Sequence, residues 1–194
     1  MILNNEIALF FDKLAPEWDN TPAEFDVREK LTSMMGLLPG SVIADIGCGK
    51  GVMFEHLLKT NPEKIIAVDI SSEMLRSAQA DFCDERIEYI NDDFLDAALP
   101  ALDVVIIFNS YPHFLNKKML AEKAAQVIKK GGTMIIAHSR NKVKINGVHR
   151  DGNVFKLSVP LEDAAVEADK FSPFFAPDVL IDSEEIYFIK MLRK

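Results

Sequence analysis

Five short apolar runs, with helical periodicity filling three of the four gaps between them, constrain this chain more than any other feature of its sequence. The runs are SVIADIG (41–47), KIIAVDI (64–70), IEYIN (87–91), DVVIIFN (103–109) and GTMIIAHS (132–139). Each has the length and β-branched content of a strand buried on both faces. Helices are expected at about 51–60, 72–82 and 117–130, the last with Leu120, Ala124, Val127 and Ile128 on one face and Gly131-Gly132 at its end. Parallel neighbours need a crossover of a dozen or more residues, and helices of this length supply it. The fold class is therefore α/β, a parallel, doubly wound sheet.

The last third reads differently. A polar loop is expected after residue 139, then a helix near 161–172 with Leu161, Ala164, Ala165, Ala168 and Phe171 on one face. Two final strands, about 179–183 and 186–193, have only Glu184 and Glu185 between them, so they must be antiparallel and close the sheet with a hairpin. At the other end, IALFFDKLAPEWD predicts a short amphipathic helix and a turn. A second helix is expected from Thr21 as N-cap and Pro22 at the first helical position, through REKLTSMMGLL, to a stop at Pro39-Gly40. The expected organisation is one domain over 1–194, with 1–40 as an N-terminal helical lid.

At 194 residues the chain can bury one sizeable core. Its net charge of −8 repels polyanions, so no nucleic-acid partner is expected. No segment approaches the roughly 18 apolar residues of a membrane span, and the N-terminus lacks a basic leader, so no membrane partner is expected either. Cys48 and Cys83 have neither metal-ligand nor disulfide-framework spacing, which fits a cytoplasmic protein. Oligomeric state leaves no trace in the sequence.

The strongest local signal is DIGCGKG, Asp45 to Gly51, where the first strand of the alternating region turns into its first helix. Glycines let backbone approach a ligand, and a helix N-terminus offers free N–H groups. The spacing is GxGxG (Gly47, Gly49, Gly51), not the GxGxxG of dinucleotide enzymes, and the carboxylate of Asp45 directly ahead is a poor neighbour for a pyrophosphate. S-adenosylmethionine, with its ammonium and sulfonium, suits that acid better. Asp69 ends the next strand about 20 residues on, where a carboxylate can accept two ribose hydroxyls. NDDF follows the third strand: Asp93, or Asp92 one residue earlier, can accept from an adenine amino group while the Phe94 N–H meets the ring. Singly, these are ordinary turn and cap residues. In order, each at a strand's C-terminal end, they mark the edge where open α/β sheets bind ligands.

VIADIGCGKG resembles the glycine-rich motif of class I S-adenosylmethionine-dependent methyltransferases, VDISSEML resembles their second motif, and DVVIIFNSYPHF with KKGGTMIIAHS resembles the later strand pair. The resemblance covers about residues 8–194. It implies a seven-stranded Rossmann-like sheet of order 3-2-1-4-5-7-6 with strand 7 antiparallel, and transfer of a methyl group to a small molecule. It also puts Cys48, Ile70, Met74 and Asn109 against S-adenosylmethionine. FFDKLAPEWD is similar to a segment of small-molecule methyltransferases in which Trp18 stands where Tyr is common, and this adds Trp18 to the cofactor side.

The resemblance puts Asn109 to His113 where methyl group and acceptor meet, so Asn109 and His113 are the catalytic candidates and Tyr111 an acceptor contact. NSYPHF is not the NPPY of amino-group methylases. Methyl transfer is an in-line displacement that depends chiefly on orientation. His113 can take a proton from an acceptor, or it can simply pack in its loop; both readings stand. His138 ends the fifth strand and His149 lies beyond it, so three histidines can converge on the acceptor. Their spacing matches no ligand pattern, and no metal is expected. His56 reads as an ordinary helix residue. The loop SRNKVKINGVHR carries Arg140, Lys142, Lys144 and Arg150 without an acid, either a solvated surface or a cationic rim for an anionic small molecule. The alternatives are a nicotinamide-dependent oxidoreductase, and a binding protein that keeps the cofactor fold without catalysis.

Overall fold

The computed structural model describes residues 2–18, 25–151 and 156–194. Four of the apolar runs become β1 (Val42–Ile46), β2 (Lys64–Asp69), β3 (Ile87–Asn91) and β4 (Leu102–Phe108), and the fifth lies within β5 (Ile128–His138). β6 (Phe175–Asp182) and β7 (Tyr187–Arg193) complete a seven-stranded sheet of order β3-β2-β1-β4-β5-β7-β6. β1 to β5 pair in parallel, and β7 is antiparallel to both β5 and β6. The turn between β6 and β7 is tied by Ser183, whose N–H and hydroxyl both donate to the Ile186 carbonyl.

Strand alternation divides the core between two faces. Ala44, Ile46, Val105, Ile107, Met134 and Ile136 face one way, covered by α5 (Lys117–Val127) and α7 (Ala164–Asp169). Ile43, Ile65, Val104, Ile106 and Ile135 face the other way, under α2 (Phe25–Met35), α3 (Phe54–Leu58) and α4 (Ser72–Asp81). With both faces covered, the central strands have no polar side to expose, which is why they are continuous apolar runs.

Several expected boundaries move. The proposed cap Thr21 and Pro22 lie outside the described residues. α2 stops at Met35, where Gly36 takes a left-handed φ of 66°, not at Pro39-Gly40. α3 is shorter than expected because turns occupy 50–53 and 59–60. α5 ends at Val127, and Ile128 pairs with Leu102 as the first residue of β5. A register shift then absorbs the glycines before Thr133 meets Val104. On the last helix Ala165 is exposed and Glu167 takes a buried position.

The largest correction is the segment after β5, which is a helix, α6 (Lys142–Asp151), and not a loop. Its apolar content is too low and Gly147 too unfavourable for pattern to reveal it. Tertiary contacts hold it instead. Asn141 Oδ1 accepts the Lys144 N–H at 2.8 Å as an N-cap, and Lys142 pairs with Asp182 at 2.7 Å. Asn146 donates to the Leu161 carbonyl and accepts its N–H, at 2.9 and 2.8 Å. At the N-terminus, α1 (Ile2–Leu14) is followed by a 3-10 turn at Ala15–Glu17. Asp12 fixes α1 to the start of α4, accepting from the Ser71 hydroxyl at 2.6 Å and the Glu73 N–H at 3.1 Å.

Candidate functional site

After β3 the chain crosses to the far side of β1, so the helices after β1 and β4 leave the sheet in opposite directions and open a crevice between the strand ends. A cavity of about 650 Å³ occupies this place. Its walls come from the C-terminal ends of β1, β2, β4 and β5, the loop after β3, and residues of α1, α2 and α6.

The glycine loop forms the floor. The Gly47 and Cys48 N–H groups both donate to the Val68 carbonyl, drawing the loop against β2. Gly47 has φ 68°, and a Cβ there would meet Ser110 Oγ at 2.6 Å, so only glycine lets β4's following loop approach β1's. A Cβ on Gly49, by contrast, would meet nothing within 4 Å. Gly51 is outside the cavity lining. Its Cβ would run into the Phe54 ring, so its part is to let α3 pack behind the loop, which corrects its place among the cofactor contacts.

Asp45 lines the cavity almost fully buried, and its Oδ2 meets no hydrogen-bond donor among the described residues. Burial, with Asp69 adding like charge, pushes its carboxyl up to about 7. Asp69 is tied down: Oδ2 accepts the Gly49 N–H at 2.7 Å and Oδ1 the Ser71 N–H at 2.8 Å. Burial raises its pKa against these two bonds. Asp93 Oδ1 caps the turn after β3 through the Leu95 N–H, and Asp92 Oδ1 accepts the Asp93 N–H. Cys48, Ile70, Met74, Asp92, Asp93, Phe94 and the half-exposed Trp18 all line the same cavity. Burial pushes the Cys48 thiol well up, leaving it an apolar wall group.

On the other side, Asn109 has φ 54°, a conformation that Asn tolerates better than most residues. Its Oδ1 accepts the Ser139 N–H and its Nδ2 donates to Ser139 Oγ, both at 3.0 Å, so its amide straps the end of β4 to that of β5. His113 lines the cavity with its ring edge-on to Phe11, centroids 5.0 Å apart. Its Nδ1 lies 2.9 Å from the Leu157 carbonyl, and an oxygen acceptor there fixes Nδ1 as the protonated nitrogen and leaves the lone pair on Nε2. The Val159 N–H donates to the Pro112 carbonyl at 2.9 Å, clasping the same two segments. His138 and Arg140 also line the cavity, the first buried against Tyr187 and the second exposed. The side chain of His149 lies outside the described residues. Among the described residues no three His, Cys, Asp or Glu side chains cluster as a metal site.

Tyr111 corrects the expectation of an acceptor contact. It is fully buried, outside the cavity lining, and its hydroxyl donates to Glu167 Oε2 at 2.6 Å. Lys117 sits 3.4 Å from the centre of its ring and donates to its carbonyl at 2.6 Å, and burial lowers this lysine to about 7. The loop after β4 is thus anchored from inside the core. His56 is likewise no ordinary helix residue. It is buried with its ring 4.5 Å from Phe25, Nδ1 meets no partner among the described residues, and burial lowers its pKa.

Arg28, buried on α2 and lining the cavity, escaped the sequence reading, because a lone arginine in a charged helix carries no pattern. Ile7, Phe11, Ile145 and Val148 escaped as cavity residues for a similar reason: only the fold turns those faces of α1 and α6 toward the crevice.

A family model described as a methyltransferase domain matches residues 43–132, from β1 into β5. Nocamycin O-methyltransferase of Saccharothrix syringae is 29% identical over 133 residues, covering 64% of this chain and 48% of that protein. Ubiquinone biosynthesis O-methyltransferase of Leptothrix cholodnii is 25% identical over 141 residues, covering 66% and 60%. The chain spans about half the length of the curated relatives it matches. A Haloferax volcanii methyltransferase, solved in complex with a methyltransferase activator, has the same fold with a TM-score of 0.80 at 15% identity, covering 94% of this chain and 97% of that one. An Aquifex aeolicus SAM-dependent methyltransferase gives 0.73 at 15% identity, over 90% and 95%. The match from 43 to 132 takes in the glycine loop and the loops after β2, β3 and β4, and the whole sheet has the fold of solved S-adenosylmethionine-dependent methyltransferases.

Proposed function

We propose that the protein transfers a methyl group from S-adenosylmethionine to a small-molecule acceptor, with the cofactor on the β1–β3 side of the crevice and the acceptor on the β4–β5 side. The observation that carries this reading is Asp45 Oδ2, an acceptor buried in the cavity wall without a donor among the described residues, which an ammonium group would satisfy. The open space over Gly49 fits a ligand drawn against the loop.

The bound cofactor supplies an activated methyl group on a sulfonium. Asp45 takes its ammonium and Arg28 its carboxylate, a pairing of opposite charges by two buried ionic groups of the wall. Asp69 keeps a lone pair on each oxygen beyond its loop bonds, enough for the ribose hydroxyls. Asp93 or Asp92, with the Phe94 N–H, reads the adenine, and Cys48, Ile70, Met74 and Trp18 pack around it. Asn109 holds the two strand ends at a fixed separation. His113 receives the acceptor's proton at Nε2, with Nδ1 held on the Leu157 carbonyl. His138 lies beside the acceptor, and Arg140 at the mouth favours an acceptor with anionic character.

The chain is read as one domain in which α1 and α2 cover the site, α1 being pinned to the start of α4 by Asp12. The two free thiols, Cys48 and Cys83, support a reducing, cytoplasmic setting. No helix among the described residues is long and apolar enough to cross a membrane. Calorimetry with S-adenosylhomocysteine and with NADH tests the assignment. Micromolar binding of the former is expected, and binding of NADH alone would overturn it.

A further inference from the structure

The two halves of the cavity differ in charge. The acids in its wall, Asp45, Asp69, Asp92 and Asp93, all belong to the ends of β1, β2 and β3. On the acceptor half, built by α1, the loop after β4, α5 and the segment after β5, no described lining residue is acidic. Its ionisable groups among the described residues are His113, His138 and Arg140. Most of its remaining wall is apolar: Phe11 from α1, Phe114 and Leu115 after β4, Met119 on α5, Ile145 and Val148 on α6. Met119 and Val148 are also 49% and 58% exposed, so the apolar wall continues out through the mouth instead of ending inside it.

The geometry points to an acceptor class: an apolar molecule, neutral or anionic, that presents a hydroxyl to His113 and lays its apolar body against α5 and α6. This rests on the proposed methyl transfer and narrows its substrate. A protonated amine entering this half would lose its hydration without meeting a carboxylate among the described lining residues, which makes its burial costly. A phenol or enol loses less. Its hydroxyl can donate to Nε2 of His113, the nitrogen left with a lone pair by the Leu157 carbonyl. Apolar substituents gain by leaving water for the Phe114 and Ile145 side of the wall. An anionic form gains from Arg140 at the mouth. Met119 and Val148 let the body of the molecule exceed the enclosed volume, since its outer part still finds apolar surface.

Three probes of matched size separate these possibilities: 4-hexylphenol, 4-hexylbenzoate and 4-hexylbenzylammonium, titrated by calorimetry into the full chain with and without saturating S-adenosylhomocysteine. The phenol and the benzoate are expected to bind at least tenfold more tightly than the ammonium. V148E, at an exposed position, should weaken the phenol severalfold and narrow the gap to the ammonium without changing S-adenosylhomocysteine affinity. An ammonium that binds as tightly as the phenol overturns the inference, as does a V148E variant with unchanged affinities for all three. Failure of S-adenosylhomocysteine to bind would sink the methyl-transfer reading alone, and the ranking in the ligand-free chain would still judge the acceptor half.

Discussion

The carboxylate of Asp69, at the end of β2, accepts the backbone N–H of Gly49 at 2.7 Å, so one side chain both borders the cofactor half of the cavity and holds the glycine loop in shape. Asp69→Asn should therefore do two things at once. S-adenosylhomocysteine binding should weaken tenfold or more, and the ligand-free protein should lose roughly 1–3 kcal/mol of stability, the usual effect of disturbing a buried hydrogen-bonded carboxylate. Calorimetry and urea melts measure the two separately. Weaker binding with unchanged stability would show that the tie to Gly49 contributes nothing.

Asp45 makes cofactor affinity depend on pH. Its carboxyl stands at about 7 in the free protein, and an ammonium beside it would favour the ionised form. Binding then releases a proton below pH 7, so affinity should rise between pH 6 and 8 and level off above. Titrations in buffers of different ionisation enthalpy detect that proton. The same raised pKa means the folded chain holds an extra proton between about 4 and 7, so Asp45's share of stability falls as pH rises through that window. Asp45→Asn should flatten both curves.

Arg28→Met separates the carboxylate contact from the rest of the cofactor. The variant should bind S-adenosylhomocysteine at least tenfold more weakly yet bind methylthioadenosine, which has no carboxylate, as the parent does. Equal losses for both ligands would place Arg28 in the structure of α2 rather than in the site.

His113→Ala should lower turnover by roughly 10²–10⁴-fold, the range for loss of a general base, with little change in S-adenosylhomocysteine affinity. A variant that turns over as fast as the parent would remove His113 from the reaction.

Tyr111→Phe tests the reassignment of Tyr111 from acceptor contact to anchor. Removing the hydroxyl strips the buried Glu167 carboxylate of a 2.6 Å bond, which should cost about 1–3 kcal/mol of stability. Acceptor KM should not move at temperatures where the variant is folded. A raised KM with unchanged stability would return Tyr111 to the acceptor.

The order of residues alone specifies the alternating strands, the terminal hairpin and the places where ligand-binding loops must fall. These follow from local rules: apolar runs demand burial on both faces, short turns demand antiparallel partners, and glycines and acids at strand ends stand out in a chain of otherwise ordinary composition. What each side chain at that edge faces depends on packing between distant segments. Tyr111 and His113 are two residues apart in one turn, yet one points into the core toward Glu167 and the other into the cavity, because packing against α7 and the Leu157 segment sets their directions. Arg28 and the apolar faces of α1 and α6 join the site only through long-range folding, and α6 itself exists because Asn141, Lys142 and Asn146 find partners that no local pattern announces. Periodicity reports which residues avoid water, whereas contacts between distant segments select which of them meet a ligand.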